Sequence, residues 1–292
     1  MRFGLFLPQI RLPFDELVLR ARCAEEAGFD SVWLVDHLWA PNTEESDILE
    51  AWTTASALAM ATSRVRLGHM VLCNQFRHPV LLAKMAATLD VISGGRVELG
   101  LGWGSVDAEM EAFGLGDEPP AVRAGRLAEA LEILERLFSG ERVDYTGRFY
   151  RLKGAIARPR PAQARIPIHV GGAGRKLTLP LAAKHADWWN CVSYGVDRLP
   201  ELAPLARPAR ISVQHPVALL PEDPAARPAA EADARRRFGS WGGLLVGTPE
   251  EIARALRAEV ALGAEMFVIQ LCDFAKPATI ERFAREVIPA LA

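Results

Sequence analysis

An aspartate and a histidine stand side by side where an apolar segment ends. Residues 29–36 read Phe-Asp-Ser-Val-Trp-Leu-Val-Asp, and His37 follows directly. The carboxylate of Asp36 could hold a cofactor, and the imidazole of His37 can accept or donate a proton near neutral pH. In the alternative, structural interpretation, Asp36 caps a turn and His37 is merely exposed. The pair marks a candidate catalytic position, with His37 as the proton carrier.

Glycine-rich turns follow two later apolar segments. The longer turn consists of Gly171, Gly172, Ala173 and Gly174. Two cationic residues and a helical pattern come next, and bare amide groups at a helix N-terminus suit a phosphate group. In the shorter turn, Gly102 and Gly104 flank Trp103, so the backbone could approach a flat ring there. Both turns could also be glycine-rich only because a tight turn requires it.

Other kinds of catalysis find less support in the sequence. Cys73 is a candidate reactive thiol, although a cysteine in an apolar strand is usually a small core residue. The six histidines show no HxH or HExxH spacing, so we expect no metal site. The GxSxG turn of serine hydrolases is also missing from the sequence.

Eight strand-like segments alternate with helical patterns, and the candidate residues lie at their ends. The segments are residues 3–8, 29–36, 65–73, 96–102, 166–171, 187–192, 210–219 and 265–271. Buried parallel strands need crossover helices, and a closed ring leaves no unpaired edge. We therefore predict an α/β fold, a (β/α)8 TIM barrel with insertions, whose active site lies at the carboxyl ends of the strands. An open doubly wound sheet is the alternative, but the first segment lacks the glycine-rich turn of dinucleotide-binding folds.

Two insertions interrupt the repeat in what we predict to be a single domain over residues 1–292. Residues 143–157 contain two alternating arms around Thr146-Gly147, which predicts a hairpin. Residues 221–247 begin rich in Pro and Ala and include Trp241 followed by two glycines. We expect a lid or mobile loop in this second insertion.

Composition argues against several classes of partner. The 34 basic and 36 acidic residues leave a net charge of −2, so no strong field attracts nucleic acid or anionic lipid. No apolar run approaches the roughly 20 residues that a membrane helix needs. Four dispersed cysteines are typical of reduced thiols in the cytosol rather than of a disulfide framework. The sequence therefore indicates a cytoplasmic protein that acts on small molecules.

Several longer stretches together point to one protein family. The most specific are residues 31–39 (SVWLVDHLW), 76–104, 147–152 with 159–163, 166–176 (IPIHVGGAGRK), 182–190 and 246–253 (VGTPEEIA). In this order they resemble the bacterial luciferase-like monooxygenase superfamily, particularly its branch that uses the deazaflavin coenzyme F420. The resemblance spans nearly the whole chain and implies a TIM barrel, a homodimer, and a flavin or deazaflavin at the carboxyl ends of the strands.

The resemblance also implies roles for individual residues. Asp36 and His37 match a pair in which the aspartate contacts the cofactor and the histidine lies near the reacting centre. Met70 and Val71 match a bulge in the third strand, often with a non-proline cis peptide, that supports the rear face of the ring. Residues 171–174 match the phosphate side of the cofactor site. Sugar-phosphate dehydrogenases of this branch carry a glutamate where this chain has Ser105, so glucose 6-phosphate is not the expected substrate.

The expected function follows from the cofactor. A deazaflavin would make the protein an oxidoreductase that moves a hydride to or from a small organic substrate. Reduced flavin mononucleotide (FMN) would instead make it a monooxygenase, and a catalytically silent flavin-binding protein is a further alternative. We expect Trp39, Trp103 and Trp241 to line the substrate pocket, and Cys73, Gly102 and Gly104 to lie against the cofactor.

Overall fold

Eight parallel strands close into a barrel in the computed structural model, which describes residues 1–41, 43–116 and 118–291. In chain order, the strands of these residues are β1 (Arg2–Phe6), β2 (Ser31–Leu34), β3 (Arg66–His69), β4 (Leu72–Cys73), β5 (Val97–Gly102), β6 (Val143–Thr146), β7 (Arg151–Ala155), β8 (Ile168–Gly171), β9 (Trp188–Cys191), β10 (Arg210–Leu219), β11 (Leu245–Gly247) and β12 (Ala264–Leu271). The ring runs β1, β2, β3, β5, β8, β9, β10, β12 and back to β1. The predicted (β/α)8 barrel is confirmed.

Helices connect successive barrel strands and pack outside them. The helices of the described residues are α1 (Phe14–Ala27), α2 (Ala51–Ala61), α3 (Pro79–Ser93), α4 (Asp107–Ala112), α5 (Pro120–Phe138), α6 (Thr178–His185), α7 (Leu199–Ala206), α8 (Arg227–Phe238), α9 (Pro249–Val260) and α10 (Pro277–Glu286). Local sequence sets many of their ends. Helix α1 ends at Gly28, which adopts a left-handed φ of 91°. Helix α9 begins with a capping box in which Thr248 and Glu251 each bind the other's backbone amide.

The ends of the barrel differ in chemistry. Glu98 on β5 is fully buried toward the amino end, where Arg2 and Arg66 donate to its carboxylate and His169 Nε2 lies 2.6 Å from it. A smaller apolar cluster follows along the barrel interior, and its buried members are Phe6, Trp33, Met70, Trp188, Met266 and Val268. The interior is therefore filled at the amino end and in the middle. Space for a ligand is left toward the carboxyl ends of the strands.

The two predicted insertions fold differently. Strands β6 and β7 form the expected antiparallel hairpin, and Gly147 N donates to Tyr150 O across its turn. In residues 221–247, where we expected a lid or mobile loop, the structure shows helix α8 and strand β11. The expectation of a loop is wrong for the residues of these two elements. Pro228 stands in the first turn of α8, where proline is compatible with a helix. Whether the segment opens and closes stays a prediction.

Candidate active site

A cavity of about 480 Å³ opens at the carboxyl ends of the barrel strands. It brings together most of the residues that the sequence singled out. These are Asp36, His37, Met70, Val71, Cys73, Gly102, Trp103, Gly104, Gly171, Gly172, Ala173 and Gly174. They come from four different strands and the turns after them, so the fold gathers positions that are far apart in sequence.

The third barrel strand is interrupted where the resemblance implies a bulge. Leu67 and Gly68 of β3 pair with Val97 and Glu98, and the pairing resumes when Leu72 of β4 meets Leu101. From residue 68 to 72 the third strand advances four positions while β5 advances three, from 98 to 101. This extra residue is a β-bulge, and the Met70–Val71 peptide within it is cis. Both expectations for this strand are confirmed.

Neighbouring strands make room for the bulge with glycine. A Cβ atom on Gly102 would lie 2.7 Å from Val71 Cγ2, and one on Gly171 would lie 2.8 Å from Val71 Cγ1. Such contacts are too short for real side chains, so both positions require glycine while Val71 keeps its place. Gly102 and Gly171, the last residues of β5 and β8, are thus explained first by the bulge. The sequence interpretation assigned them to the cofactor directly.

Asp36 is held by the protein on both carboxylate oxygens. Arg77 donates to Oδ2 at 2.7 Å and to Oδ1 at 3.0 Å, and the amide of Cys73 donates to Oδ2 at 2.8 Å. Asp36 is 4% exposed, and Arg77 also pairs with Glu50. Asp36 therefore joins the end of β2 to the end of the bulged strand. It lies on the cavity wall, but these bonds give it a structural task as well.

The thiol of Cys73 lies on the cavity wall in its protonated form. Burial raises the pKa of this thiol to about 12. A thiolate is the reactive form, so the hypothesis of a reactive cysteine loses support. Cys73 serves instead as a small wall residue and, through its amide, as a partner of Asp36.

His37 is oriented by a glutamate that sequence analysis did not single out. Glu109 lies on α4 and is 3% exposed in its side chain, and its Oε2 is 2.9 Å from His37 Nδ1. Its other oxygen accepts a hydrogen bond from the amide of Leu38 at 2.5 Å. Burial opposes ionisation of Glu109, but the bonds from His37 and Leu38 outweigh it and leave the pKa of this carboxyl below its ordinary value. Glu109 is therefore an anionic acceptor beside the candidate proton carrier.

The glycine turn after β8 borders the cavity and leads to α6. Gly172 has a φ of 128°. The amides of Ala173 and Gly174 donate to no acceptor within the described part of the chain. Arg175, which we expected to add positive charge, pairs with Glu201 on α7. A different cation, Arg198, lines the cavity.

A second cavity, of about 490 Å³, adjoins the first. Val35 and His37 belong to the walls of both. Twelve of the described residues that line the second cavity are apolar, and the remaining five are Arg11, His37, Thr43, Arg237 and Gln270. Trp241 lies on this wall, beside Phe238 at the end of α8. His37 thus stands between a cavity bordered by glycine turns and a largely apolar one.

Trp103 and Trp39, the other two tryptophans that we expected in the substrate pocket, lie outside the second cavity. Trp103 lines the first cavity and donates from Nε1 to Thr178 Oγ1 at 3.2 Å. Trp39 packs against Phe113 at 5.5 Å between ring centroids and is not among the described residues that line either cavity. Of the three tryptophans expected in the substrate pocket, the structure places Trp241 in the second cavity.

Asn190 is a further polar wall residue that sequence analysis missed. It lies in β9, is fully buried, and donates from Nδ2 to Ser212 Oγ at 3.1 Å. Its Oδ1 atom has no hydrogen-bond partner in the described part of the chain. Since buried carbonyl oxygens normally have a donor, this atom suits an N–H group of a bound molecule.

No cluster of three or more His, Cys, Asp or Glu side chains is arranged to hold a metal ion in residues 1–41, 43–116 and 118–291. Over the same ranges, no helix combines the length and apolar character needed to cross a membrane.

Comparison with known proteins places these features in context. The family model described as luciferase-like monooxygenase matches residues 1–211. The F420-dependent hydroxymycolic acid dehydrogenase of Mycobacterium tuberculosis is 32% identical over 220 residues, which cover 74% of this chain and 59% of that protein. The F420-dependent glucose-6-phosphate dehydrogenase of Microbacterium testaceum is 38% identical over 203 residues, 69% of this chain and 59% of that protein. The chain thus spans less than two thirds of the length of these relatives.

Solved structures share the fold across the whole chain. An F420-dependent secondary alcohol dehydrogenase in complex with an F420-acetone adduct superimposes with a TM-score of 0.81 at 20% identity, covering 100% of this chain and 99% of that one. The monooxygenase RslO1 from Streptomyces bottropensis gives a TM-score of 0.81 at 24% identity, with both chains fully covered. At these identities the likeness shows the fold alone.

Proposed function

Because this chain belongs to the luciferase-like monooxygenase family, we propose that it is an F420-dependent oxidoreductase that exchanges a hydride with a small organic substrate. The position of His37 in the wall shared by two cavities carries the proposal. One cavity can hold a cofactor and the other a substrate, so a proton carrier between them has access to both. The names of the two curated relatives support F420 as the cofactor.

The first cavity fits a deazaflavin. The bulge at Met70 and Val71 offers an apolar wall for a flat ring, and Asn190 Oδ1 offers an acceptor for a ring N–H. The amides of Ala173 and Gly174 suit the phosphate side. A deazaflavin bound there would supply a ring carbon that gives or takes a hydride.

The chain itself supplies orientation and proton transfer. A hydride that leaves an alcohol carbon requires a proton to leave the oxygen, and the reverse reaction requires one to arrive. His37 Nε2 makes no hydrogen bond within the described part of the chain, whereas Nδ1 is held by Glu109. We assign to Nε2 the exchange of this proton with the substrate.

The second cavity indicates the class of substrate. Aromatic and aliphatic side chains such as Phe238, Trp241 and Phe274 form most of its wall. A sugar phosphate would need many more polar partners, and the chain has Ser105 where sugar-phosphate dehydrogenases have a glutamate. We therefore propose that the substrate of this enzyme is an apolar alcohol or carbonyl compound.

Cofactor titration and turnover test the proposal together. Fluorescence titration of the purified protein should show tighter binding of F420 than of FMN. Tenfold tighter binding of FMN, about 1.4 kcal/mol, would favour a monooxygenase. Absorbance of oxidised F420 should change when apolar secondary alcohols are added, and that of reduced F420 should change when ketones are added. Glucose 6-phosphate should give no change with oxidised F420.

The variant His37→Ala separates catalysis from binding. It should lose turnover by a factor on the order of 10² to 10⁴ and keep its affinity for F420. Binding without turnover on any alcohol or carbonyl compound, in both the parent and the variant, would support a silent flavin-binding protein instead.

A homodimer, a cytosolic location and a single domain over residues 1–292 belong to the same proposal. Exposed apolar side chains on neighbouring helices support the dimer, and they are Met60 on α2 and Leu81, Val91 and Ile92 on α3. Four cysteines without a disulfide in the structure support a reducing compartment.

A further inference from the structure

The contact between Glu109 and His37 bears on how the histidine can work. Glu109 reaches from α4, after the β5 glycine turn, to the loop after β2. One carboxylate oxygen faces His37 Nδ1 at 2.9 Å, and the other accepts from the amide of Leu38 at 2.5 Å and from that of Trp39 at 3.4 Å. Every group that faces this carboxylate in these contacts is a nitrogen that can donate.

The charge of Glu109 determines which imidazole nitrogen carries hydrogen. An ionised carboxylate can only accept hydrogen bonds. His37 Nδ1 must therefore carry the hydrogen in this contact, and in the neutral ring Nε2 keeps a lone pair. Because His37 lines both cavities, this lone pair is available on the side where a substrate would bind.

We propose that Glu109 is the positioning residue for His37: it fixes the Nδ1–H tautomer and stabilises the imidazolium that forms when Nε2 accepts a proton. The inference rests on the proposed function, since it assumes that His37 exchanges a proton with the substrate. Glu109 acts through His37 and need not touch the substrate. No glutamate is required at position 105 for this arrangement.

Other charged groups near His37 are already engaged or lie across the cavities. From β2 and the loop before α3 come Asp36 and its partner Arg77. The thiol of Cys73 and the cation of Arg198 belong to the first cavity, and Arg11 and Arg237 belong to the second. Glu109 is the carboxylate in hydrogen-bond contact with the imidazole among the described residues.

A purely structural role for Glu109 makes a different prediction. The amides of Leu38 and Trp39 alone could explain a buried acceptor that clamps the loop. In Glu109→Gln, the side-chain oxygen can still accept from Leu38, so the clamp persists. The new amide group faces Nδ1 as a donor, which forces the hydrogen of the neutral ring onto Nε2.

Nitrogen NMR of histidine-labelled protein without cofactor distinguishes the two roles. In the parent protein, neutral His37 should show the Nδ1–H tautomer. In Glu109→Gln it should show the Nε2–H tautomer. Glu111→Gln, on the exposed side of the same helix, should leave the Nδ1–H tautomer as in the parent.

Turnover adds a second readout. Glu109→Gln should lower kcat on the order of 10²-fold with a smaller change in KM. An Nε2–H tautomer in the parent protein, or the same tautomer in parent and Glu109→Gln, would overturn the inference. The parent measurement does so even if the variant fails to fold. Normal turnover in His37→Ala would instead overturn the proposed function and leave the NMR result standing.

Discussion

Arg77 and Asp36 form a two-pronged ion pair at the mouth of the barrel, with N–O distances of 2.7 and 3.0 Å. The pair is nearly buried, and the same aspartate accepts from the backbone of the bulged strand. The residue that the family resemblance links to the cofactor thus also holds the wall against which the cofactor would lie.

Asp36→Asn should therefore destabilise the protein without any cofactor present. Loss of the charge leaves the guanidinium of Arg77 without its buried partner, which should cost about 3 kcal/mol in the free energy of unfolding. Urea unfolding measures this cost. Glu50→Gln is the comparison, since Glu50 is the half-exposed partner of the same arginine. Although Glu50 also caps α2 through the amides of Trp52 and Thr53, an amide oxygen can still accept there, so its change should cost less than that of Asp36. Equal losses in the two variants would contradict the special role of Asp36.

The fit between Gly171 and Val71 can be tested by a double-mutant cycle. Gly171→Ala places a Cβ 2.8 Å from Val71 Cγ1 and should cost about 1 to 3 kcal/mol. Val71→Ala removes the clashing atoms, so the double variant should recover at least about 1 kcal/mol relative to additivity. Additive losses in chemical denaturation would show that the glycine is needed for another reason.

All four cysteines should be unreactive in the native protein. They are buried, burial raises the pKa of Cys73, Cys191 and Cys272 to about 12, and that of Cys23 is also raised. Thiolate is scarce at pH 8 under these conditions, so a disulfide reagent such as Ellman's reagent should titrate four thiols only after unfolding. A fast thiol that disappears in Cys73→Ser would restore Cys73 as a reactive group.

Glu98, toward the amino end of the barrel, should make the free energy of unfolding depend on pH. Burial favours its neutral form, but His169, Arg2 and Arg66 outweigh burial and hold the pKa of Glu98 well below its ordinary value. The stability that ionised Glu98 gives the folded state is therefore complete above the unfolded-state pKa of about 4.3. It is lost as the pH falls toward the lower folded-state pKa.

The variant Glu98→Gln should thus lose about 3 kcal/mol in the free energy of unfolding at pH 7. The gap in this free energy between variant and parent should narrow below about pH 4. Urea unfolding at several pH values measures the gap. Glu265→Gln, which alters an exposed pair with Arg210, is the control and should show a small gap throughout. A gap for Glu98→Gln that stays constant from pH 7 to pH 3 would rule out this linkage.

The outer face of α3 should mediate self-association. Ile92 is 53% exposed and adjoins the exposed Val91, and the exposed Leu81 lies about three turns earlier on the same helix. Ile92→Glu should shift the protein from dimer to monomer in sedimentation velocity, because a charge in an apolar interface is costly. Leu262→Glu, at an exposed apolar residue after α9, should leave the dimer intact. A monomeric parent protein would exclude the dimer.

Periodicity and strand ends were enough to predict the barrel and most of the first cavity. A buried parallel strand appears in the sequence as one continuous apolar run. In a barrel its last residues lie at the end where the active-site cavity opens. The break at Met70 and Val71 was expected from family resemblance, since both residues suit an ordinary strand. Helix α8 was missed because Pro228 and the prolines before the helix resemble a loop, although proline also fits the first turn of a helix.

The partner of His37 could not be found by local reading. Glu109 lies 72 positions away and sits among other acidic residues on a short helix, where it resembles a solvent-exposed charge. Asn190 follows two tryptophans and resembles the polar end of a strand. Only the closure of the barrel brings these side chains to the cavity wall, so their roles depend on tertiary geometry that no spacing rule encodes.

The two cavities are lined by different kinds of segment of the same chain. Most of the first wall consists of barrel strand ends and the turns that directly follow them, whereas the second draws on residues 6–12, 41, 43, 237–241 and 270–275. Among the described residues, Val35 and His37 alone belong to both walls. Substrate preference can therefore diverge through exchange of segments such as 237–241 while the proposed cofactor cavity stays unchanged. Grafting that segment between homologues is the natural route to altering what the enzyme accepts.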